Sequence, residues 1–298
     1  MFNNKTIEKN NATVKNDRSV NKADDMMQKA KAIATEGDRE NENGMSAEAI
    51  ASYKKAIAMK PDYIKPLIQL GKIYEIEQNW SEAAKYYRRM TGLNPDNHGG
   101  YIKLGRVLSK QGKIYGAIAA YTEALELKPD LQAGSYKSYG DLLLQINDSN
   151  PDAIAAYQKA AEIKQDWGAG FYNKLANLLE KQGKLEESTT YYLKALSLQG
   201  DNPIQYFKVG NIYFKQGLLE EAAGNYQRAL ELNPNFANAY KRLGDLLKQK
   251  DRLDDAIKCY KKALEIKPDF KNGYRALGDA LQKQGQETEA QQCYRLAS

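Results

Sequence analysis

A tyrosine returns through most of this chain at a nearly constant interval: Tyr53, Tyr87, Tyr121, Tyr157, Tyr192, Tyr226, Tyr260 and Tyr294, in steps of 34, 34, 36, 35, 34, 34 and 34 residues. Other positions keep step with it. Three residues after each tyrosine stands Ala56, Met90, Ala124, Ala160, Ala195, Ala229, Ala263 or Ala297. Four residues before each stands Ala49, Ala83, Ala117, Ala153, Ser188, Ala222, Ala256 or Ala290. Pro61, Pro95, Pro129, Pro234 and Pro268 follow eight residues behind their tyrosines. Upstream come Gly37, Gly71, Gly105, Gly140, Ala176, Gly210, Gly244 and Gly278. A period this strict describes one small unit copied about eight times, each copy too small to bury its apolar face alone and therefore stacked on its neighbours. The 21 tyrosines against 6 phenylalanines fit one aromatic position repeated.

Within the unit the apolar spacing is helical. In the sixth copy Tyr206, Val209 and Tyr213, then Ala222, Tyr226, Ala229 and Leu230, advance by three or four residues. Lys-Gln-Gly, at 110–112, 181–183, 215–217 and 283–285, suits a left-handed cap on a first helix, A. Each proline ends a second helix, B, because it supplies no amide hydrogen and forces its predecessor toward extended geometry. The pattern resembles the tetratricopeptide repeat family over about residues 30–298, with units near 30–63, 64–97, 98–131, 132–168, 169–202, 203–236, 237–270 and 271–298. The resemblance implies an all-α, right-handed solenoid of antiparallel helix pairs. Helices A and B would cross closely at the glycine and the first alanine, and B would meet the next A at the second alanine.

Three places depart from the pattern. The fourth unit has extra residues near Ala133-Gly134 and in the turn Asn147–Pro151, and its junction, Gln165-Asp166-Trp167, lacks proline. Either the loop insertion is simply tolerated, or the superhelical pitch changes and divides the array in two. The first unit carries Glu36 and Glu40 where later units are apolar, which suits a polar N-terminal cap. Residues 1–22, rich in Asn and Lys, read as a disordered polar tail before an array over 23–298. The last unit ends without a polar capping helix, so either this face is exposed, or it pairs with another chain in self-association, or further protein follows Ser298.

Composition narrows the function classes. The net charge of +6 is modest and no apolar run reaches membrane-spanning length, so neither a nucleic-acid partner nor a membrane span is expected. With no apolar leader, a cytoplasmic location is expected. The single histidine, His98, falls at a repeat junction, and Cys259 and Cys293 occupy equivalent positions one repeat apart. No metal-spaced set, phosphate loop or nucleophile motif accompanies them, so neither cofactor, metal nor catalysis is expected. Glu186-Glu187 and Glu220-Glu221 read as the first turns of B helices, where acidic residues favour the helix dipole.

In the family, helix A lines the concave surface, and positions 2, 6, 9 and 13 of the repeat share one of its faces. In the second, third, fifth and sixth units those sixteen positions hold nine basic and no acidic residues. Lys110, Lys181 and Lys215 also suit a helix C-terminus and are set aside. Lys65, Lys72, Lys103, Arg106, Lys174 and Lys208 remain, with Asn177 and Asn211 as donors to a peptide backbone and Arg242 from the seventh unit. The expectation is a protein-interaction scaffold whose groove takes an acidic or extended peptide, since complementary charge selects partners and speeds encounter. The alternative is the substrate-recruiting or regulatory array of a larger glycosyltransferase-like enzyme whose catalytic domain lies outside the chain. The asparagine ladder typical of such arrays is missing at position 6, which reads Gln69, Lys103, Ser138, Lys174, Lys208, Arg242 and Ala276. The two-carboxylate clamp of chaperone-binding relatives is matched only by Asn177 and Arg242, not by Asn173, Lys208 or Asn238.

Overall fold

The structure, a computed structural model, describes the backbone of residues 4–298 and the side chains from residue 23 onward. Every regular element among the described residues is an α-helix. The chain divides into two compact units, Met1–Asp148 and Ser149–Ser298. The first contains α1 (Asn4–Glu42), α2 (Ser46–Met59), α3 (Ile64–Ile76), α4 (Trp80–Leu93), α5 (His98–Lys110), α6 (Ile114–Leu127) and α7 (Ala133–Ile146). The second contains α8 (Pro151–Ile163), α9 (Ala169–Lys181), α10 (Leu185–Gln199), α11 (Pro203–Gln216), α12 (Leu219–Leu232), α13 (Ala237–Gln249), α14 (Leu253–Ile266), α15 (Lys271–Lys283) and α16 (Glu287–Leu296). Odd-numbered helices are the A helices and even-numbered ones the B helices. The boundary falls inside the fourth repeat, in the turn between its two helices, rather than after it. The expected polar tail, residues 1–22, lies outside the residues whose side chains are described; α1 itself is assigned from Asn4.

Within each unit, A and B of a repeat pack as a hairpin and each B helix leans on the next A. The A helices α5 and α7, α11 and α13, and α13 and α15 also approach one another directly, and no two B helices come as close. Each unit is therefore a stack of hairpins with its A helices on the tighter side, as in an α-solenoid.

The repeated small residues are explained by the repeated tyrosine. Tyr53, Tyr87, Tyr226 and Tyr260 are fully buried, and each aromatic ring needs a flat surface to lie on. The glycine of helix A supplies it. A Cβ added at Gly244 would stand 2.6 Å from Tyr260 Cε1, and one at Gly210 would stand 2.8 Å from Tyr226 Cδ1 and 3.3 Å from the Ala222 carbonyl oxygen. The fifth repeat solves the same problem differently. Ala176 replaces the glycine, and the buried Ser188, in place of the first alanine, donates its hydroxyl to the Ala176 carbonyl at 2.9 Å. The second exception is Met90, the one bulky residue at the position where B meets the next A. It is accommodated by Gly100, where a Cβ would stand 2.7 Å from Met90 Cε.

The turns follow local chemistry. Gly112, Gly183, Gly217 and Gly285 have φ of +71°, +76°, +78° and +83°, the left-handed geometry that glycine enters without steric cost. Gln78 and Asp251 fill the same place with φ of +57° and +60°, a conformation that costs a residue with a Cβ. Helices α2, α4, α6, α12 and α14 stop one or two residues before Pro61, Pro95, Pro129, Pro234 and Pro268. At the fourth repeat's junction, which lacks proline, Trp167 donates its indole hydrogen to the Ala160 carbonyl at 3.0 Å and stacks on Phe171, closing the end of α8 by other means.

Candidate functional site

The A-helix face is organised from below by the buried tyrosines. Each ring is buried but its hydroxyl reaches the groove side of helix A, and a buried hydroxyl left without a partner is costly. In six of the eight repeats the partner lies 15 or 12 residues earlier, on helix A of the same repeat. Tyr53 donates to Asp38 at 2.8 Å, Tyr87 to Glu75 at 2.7 Å, Tyr226 to Asn211 at 2.9 Å and Tyr260 to Asp245 at 3.0 Å. Tyr192 donates toward both Asn177 and Glu180, and Tyr294 toward Asp279 and Gln282. Burial, and then the neighbouring carboxylates, push the Tyr53, Tyr87, Tyr192 and Tyr260 hydroxyls well above their ordinary pKa, so they remain donors.

This slot places several of the residues read from the sequence as groove ligands. Asn177 accepts from Tyr192 and donates Nδ2 to the Asn173 carbonyl at 2.7 Å, so both ends of its amide are engaged within the fold. Asn211 accepts from Tyr226 through Oδ1. Lys65 pairs with Asp38 at 2.6 Å, and Gln69 donates to the same carboxylate at 3.2 Å. Burial opposes ionisation of Asp38, but the hydrogen bonds from Lys65, Tyr53 and Gln69 outweigh it and hold its pKa below the usual value. Arg106 grips Glu75 with Nε at 2.9 Å and a terminal nitrogen at 2.8 Å, a two-pronged pair. Arg242 stands 3.5 Å from Asp245, which Lys241 also reaches at 2.7 Å. Lys174 lies 5.0 Å over the Tyr157 ring and Lys208 6.0 Å over the Tyr192 ring. Lys215, set aside earlier as a helix-terminal cation, pairs with Glu180 at 2.6 Å.

The basic stripe therefore comes with its own carboxylates, Asp38, Glu75, Glu180 and Asp245. They sit at positions 9 or 12 of the repeat; Asp245, with Asp141 and Asp279, is legible on the A-helix faces of the remaining units, whereas the count of positions 2, 6, 9 and 13 in four units passed over Asp38, Glu75 and Glu180. The signal that could have found them is the acceptor each buried tyrosine needs, 15 or 12 residues upstream.

Two of the expected cations are left over in the first unit. Lys72 and Lys103 make no ion pair among the described residues, and neither does Lys110 at the end of α5. Burial, then the positive charges of Arg106 and Lys72, pull the pKa of Lys103 below its ordinary value. Beside them α3 and α5 enclose an open cleft lined by Lys72, Glu75, Ile76, Trp80, Arg106 and Lys110. In the second unit, Asn211, Asn238, Lys241, Arg242 and Asn272 gather between Phe207 and Phe270. Among the described residues no group of histidine, cysteine and carboxylate side chains is placed to hold a metal, and no helix is long and apolar enough to cross a membrane.

Family models described as TPR repeat and tetratricopeptide repeat match residues 176–217, 210–251 and 244–285, and residues 41–63 and 98–131, together more than half of the chain. No curated protein sequence matches it. Among solved structures, the chain is similar to YrrB, a TPR protein with an unusual peptide-binding site. Identity is 23% and the TM-score 0.52, over 65% of this chain and 98% of that one. The C-terminal part of a TPR repeat-containing protein from Cytophaga hutchinsonii is 14% identical with a TM-score of 0.53, over 77% of this chain and 93% of that one. MamA protein is 27% identical with a TM-score of 0.49, over 55% of this chain and 89% of that one. With the buried tyrosines, the glycines beneath them and the proline-terminated B helices in place, the chain belongs to the tetratricopeptide repeat family.

Proposed function

We propose that the protein is a non-catalytic scaffold that captures an acidic, extended peptide segment of a partner protein on the A-helix face, chiefly in its first unit. The observation that carries this reading is the surplus of cations there. Asp38 and Glu75 are committed to Lys65, Arg106 and the tyrosine hydroxyls, whereas Lys72, Lys103 and Lys110 make no ion pair among the described residues. Burial first, and then the charges of Arg106 and Lys72, disfavour the charged form of Lys103, and a carboxylate brought by a partner would favour it. A peptide-binding site on a protein of this fold, YrrB, is in keeping with the reading.

The test is binding of fluorescein-labelled Asp/Glu-rich peptides, followed by anisotropy against salt. Lys72→Glu with Lys103→Glu should abolish binding and leave the helical circular dichroism unchanged. Lys208→Glu, in the second unit, should weaken it less. Binding that survives both unit-one reversals, or crosslinks of bound peptide confined to B helices, would defeat the assignment.

A further inference from the structure

The cleft between α3 and α5 has a second property that charge does not explain. Its floor is apolar while its rim is cationic. Ile76, the last residue of α3, is 81% exposed, among the most exposed of the large apolar side chains, and half-buried Trp80, which opens α4, stands with it in the cleft. An aliphatic side chain so bare gains nothing from folding, because the hydrophobic contribution scales with area removed from water. Around it stand Lys72 and Lys110, which pair with no carboxylate, and Arg106, whose charge Glu75 already offsets. Equivalent positions in other repeats differ. Position 13, where Ile76 stands, reads Lys110, Lys181, Lys215 and Lys283 in the third, fifth, sixth and eighth repeats. The exposed aliphatic residue at this position is thus not shared by those repeats.

Building on the scaffold reading above, we propose that this cleft is a specificity pocket, which seats one aliphatic side chain of the partner segment on Ile76 and Trp80 while flanking carboxylates of that segment meet Lys72 and Lys110. The partner is therefore an extended peptide with an aliphatic residue set between acidic ones, not a uniformly acidic tract. The cleft, about 380 Å³ and open to solvent, has room for a leucine side chain. Only this chemistry satisfies both parts of the site. A polyanion leaves Ile76 in water, and an apolar segment without carboxylates leaves the lysines unmatched.

Trp80 provides the readout, since the chain has two tryptophans and the other, Trp167, lies in the second unit. In the full-length W167F protein, Trp80 emission reports the cleft alone; Trp167→Phe keeps an aromatic ring on Phe171. The probes are two ten-residue peptides, one with a central leucine between aspartates and glutamates, the other with serine in its place. The leucine peptide should shift Trp80 emission and bind about tenfold more tightly than the serine peptide, the range for burying one aliphatic side chain. Ile76→Ser, at an exposed site that folding does not depend on, should erase that difference without changing serine-peptide affinity. Equal affinities, an unmoved Trp80 and an indifferent Ile76→Ser, with Lys72→Glu and Lys110→Glu still abolishing binding, would overturn the pocket and leave the acidic groove standing. Binding of either peptide that ignores the lysine reversals, or no binding at all, would overturn both.

Discussion

The second repeat and the sixth and seventh rest on the same buried tyrosine but satisfy its hydroxyl from different residues. In the sixth and seventh, Asn211 and Asp245 at position 9 accept the hydrogen bond, and Asp245 in turn holds Lys241 and faces Arg242. In the second, position 9 is Lys72, which cannot accept; the acceptor moves one turn along to Glu75, and Arg106 of the third repeat closes on it from the neighbouring helix. In the later repeats Asp245 is matched by Lys241 and Arg242 and Lys215 reaches Glu180 of the fifth repeat, while Lys208 lies over the Tyr192 ring; the earlier ones keep Lys72 and Lys103, cations that no structural hydrogen bond requires. Position 9 is a structural slot first. It becomes a recognition position where another residue takes over the tyrosine.

If that comparison holds, the tyrosine itself should matter equally in both regions. Tyr87→Ala and Tyr226→Ala should each cost about 3–5 kcal/mol, read from denaturant unfolding followed by circular dichroism, because each empties a fully buried aromatic site. A large loss in only one would mean that the two units are not built on a common core. The glycine beneath the ring comes next. Gly244→Ala should cost about 1–3 kcal/mol through collision with Tyr260. Ala176→Gly, in the repeat that has done without this glycine, should cost only about 0.5–1 kcal/mol from lost helix propensity. Comparable losses at the two sites would erase the distinction between the fifth repeat and the rest.

The polar difference is sharpened by removing carboxylate charge while keeping an acceptor for the tyrosine. Glu75→Gln should lower stability by about 1–2 kcal/mol, yet tighten acidic-peptide binding by releasing Arg106 beside Lys72 and Lys103. Asp245→Asn should release Lys241 and Arg242 in the same way and give the second unit a cationic groove like that of the first, detected as new salt-sensitive peptide binding. The smallest effect concerns the turns. Gln78→Gly and Asp251→Gly should each stabilise by about 0.5–1 kcal/mol, seen as a rise in Tm, because glycine occupies their left-handed geometry without a Cβ clash.

The sequence by itself determined the repeat, its helices and its core. A tyrosine at a fixed interval, slim residues three after and four before it, and a proline beyond are local and periodic signals, so burial of Ala49, Ala83, Ala222 or Ala256 needed no knowledge of distant contacts. What only the tertiary structure decided is which polar residues remain available to a partner. Lys65 and Asp38, Arg106 and Glu75, and Lys215 and Glu180 are 27, 31 and 35 residues apart, and each pair meets only because neighbouring A helices stack. A charge count along one helix face treats every lysine alike. Coulomb attraction acts across the stack, at distances set by packing, and it separates Lys72 and Lys103 from cations that the fold has already matched.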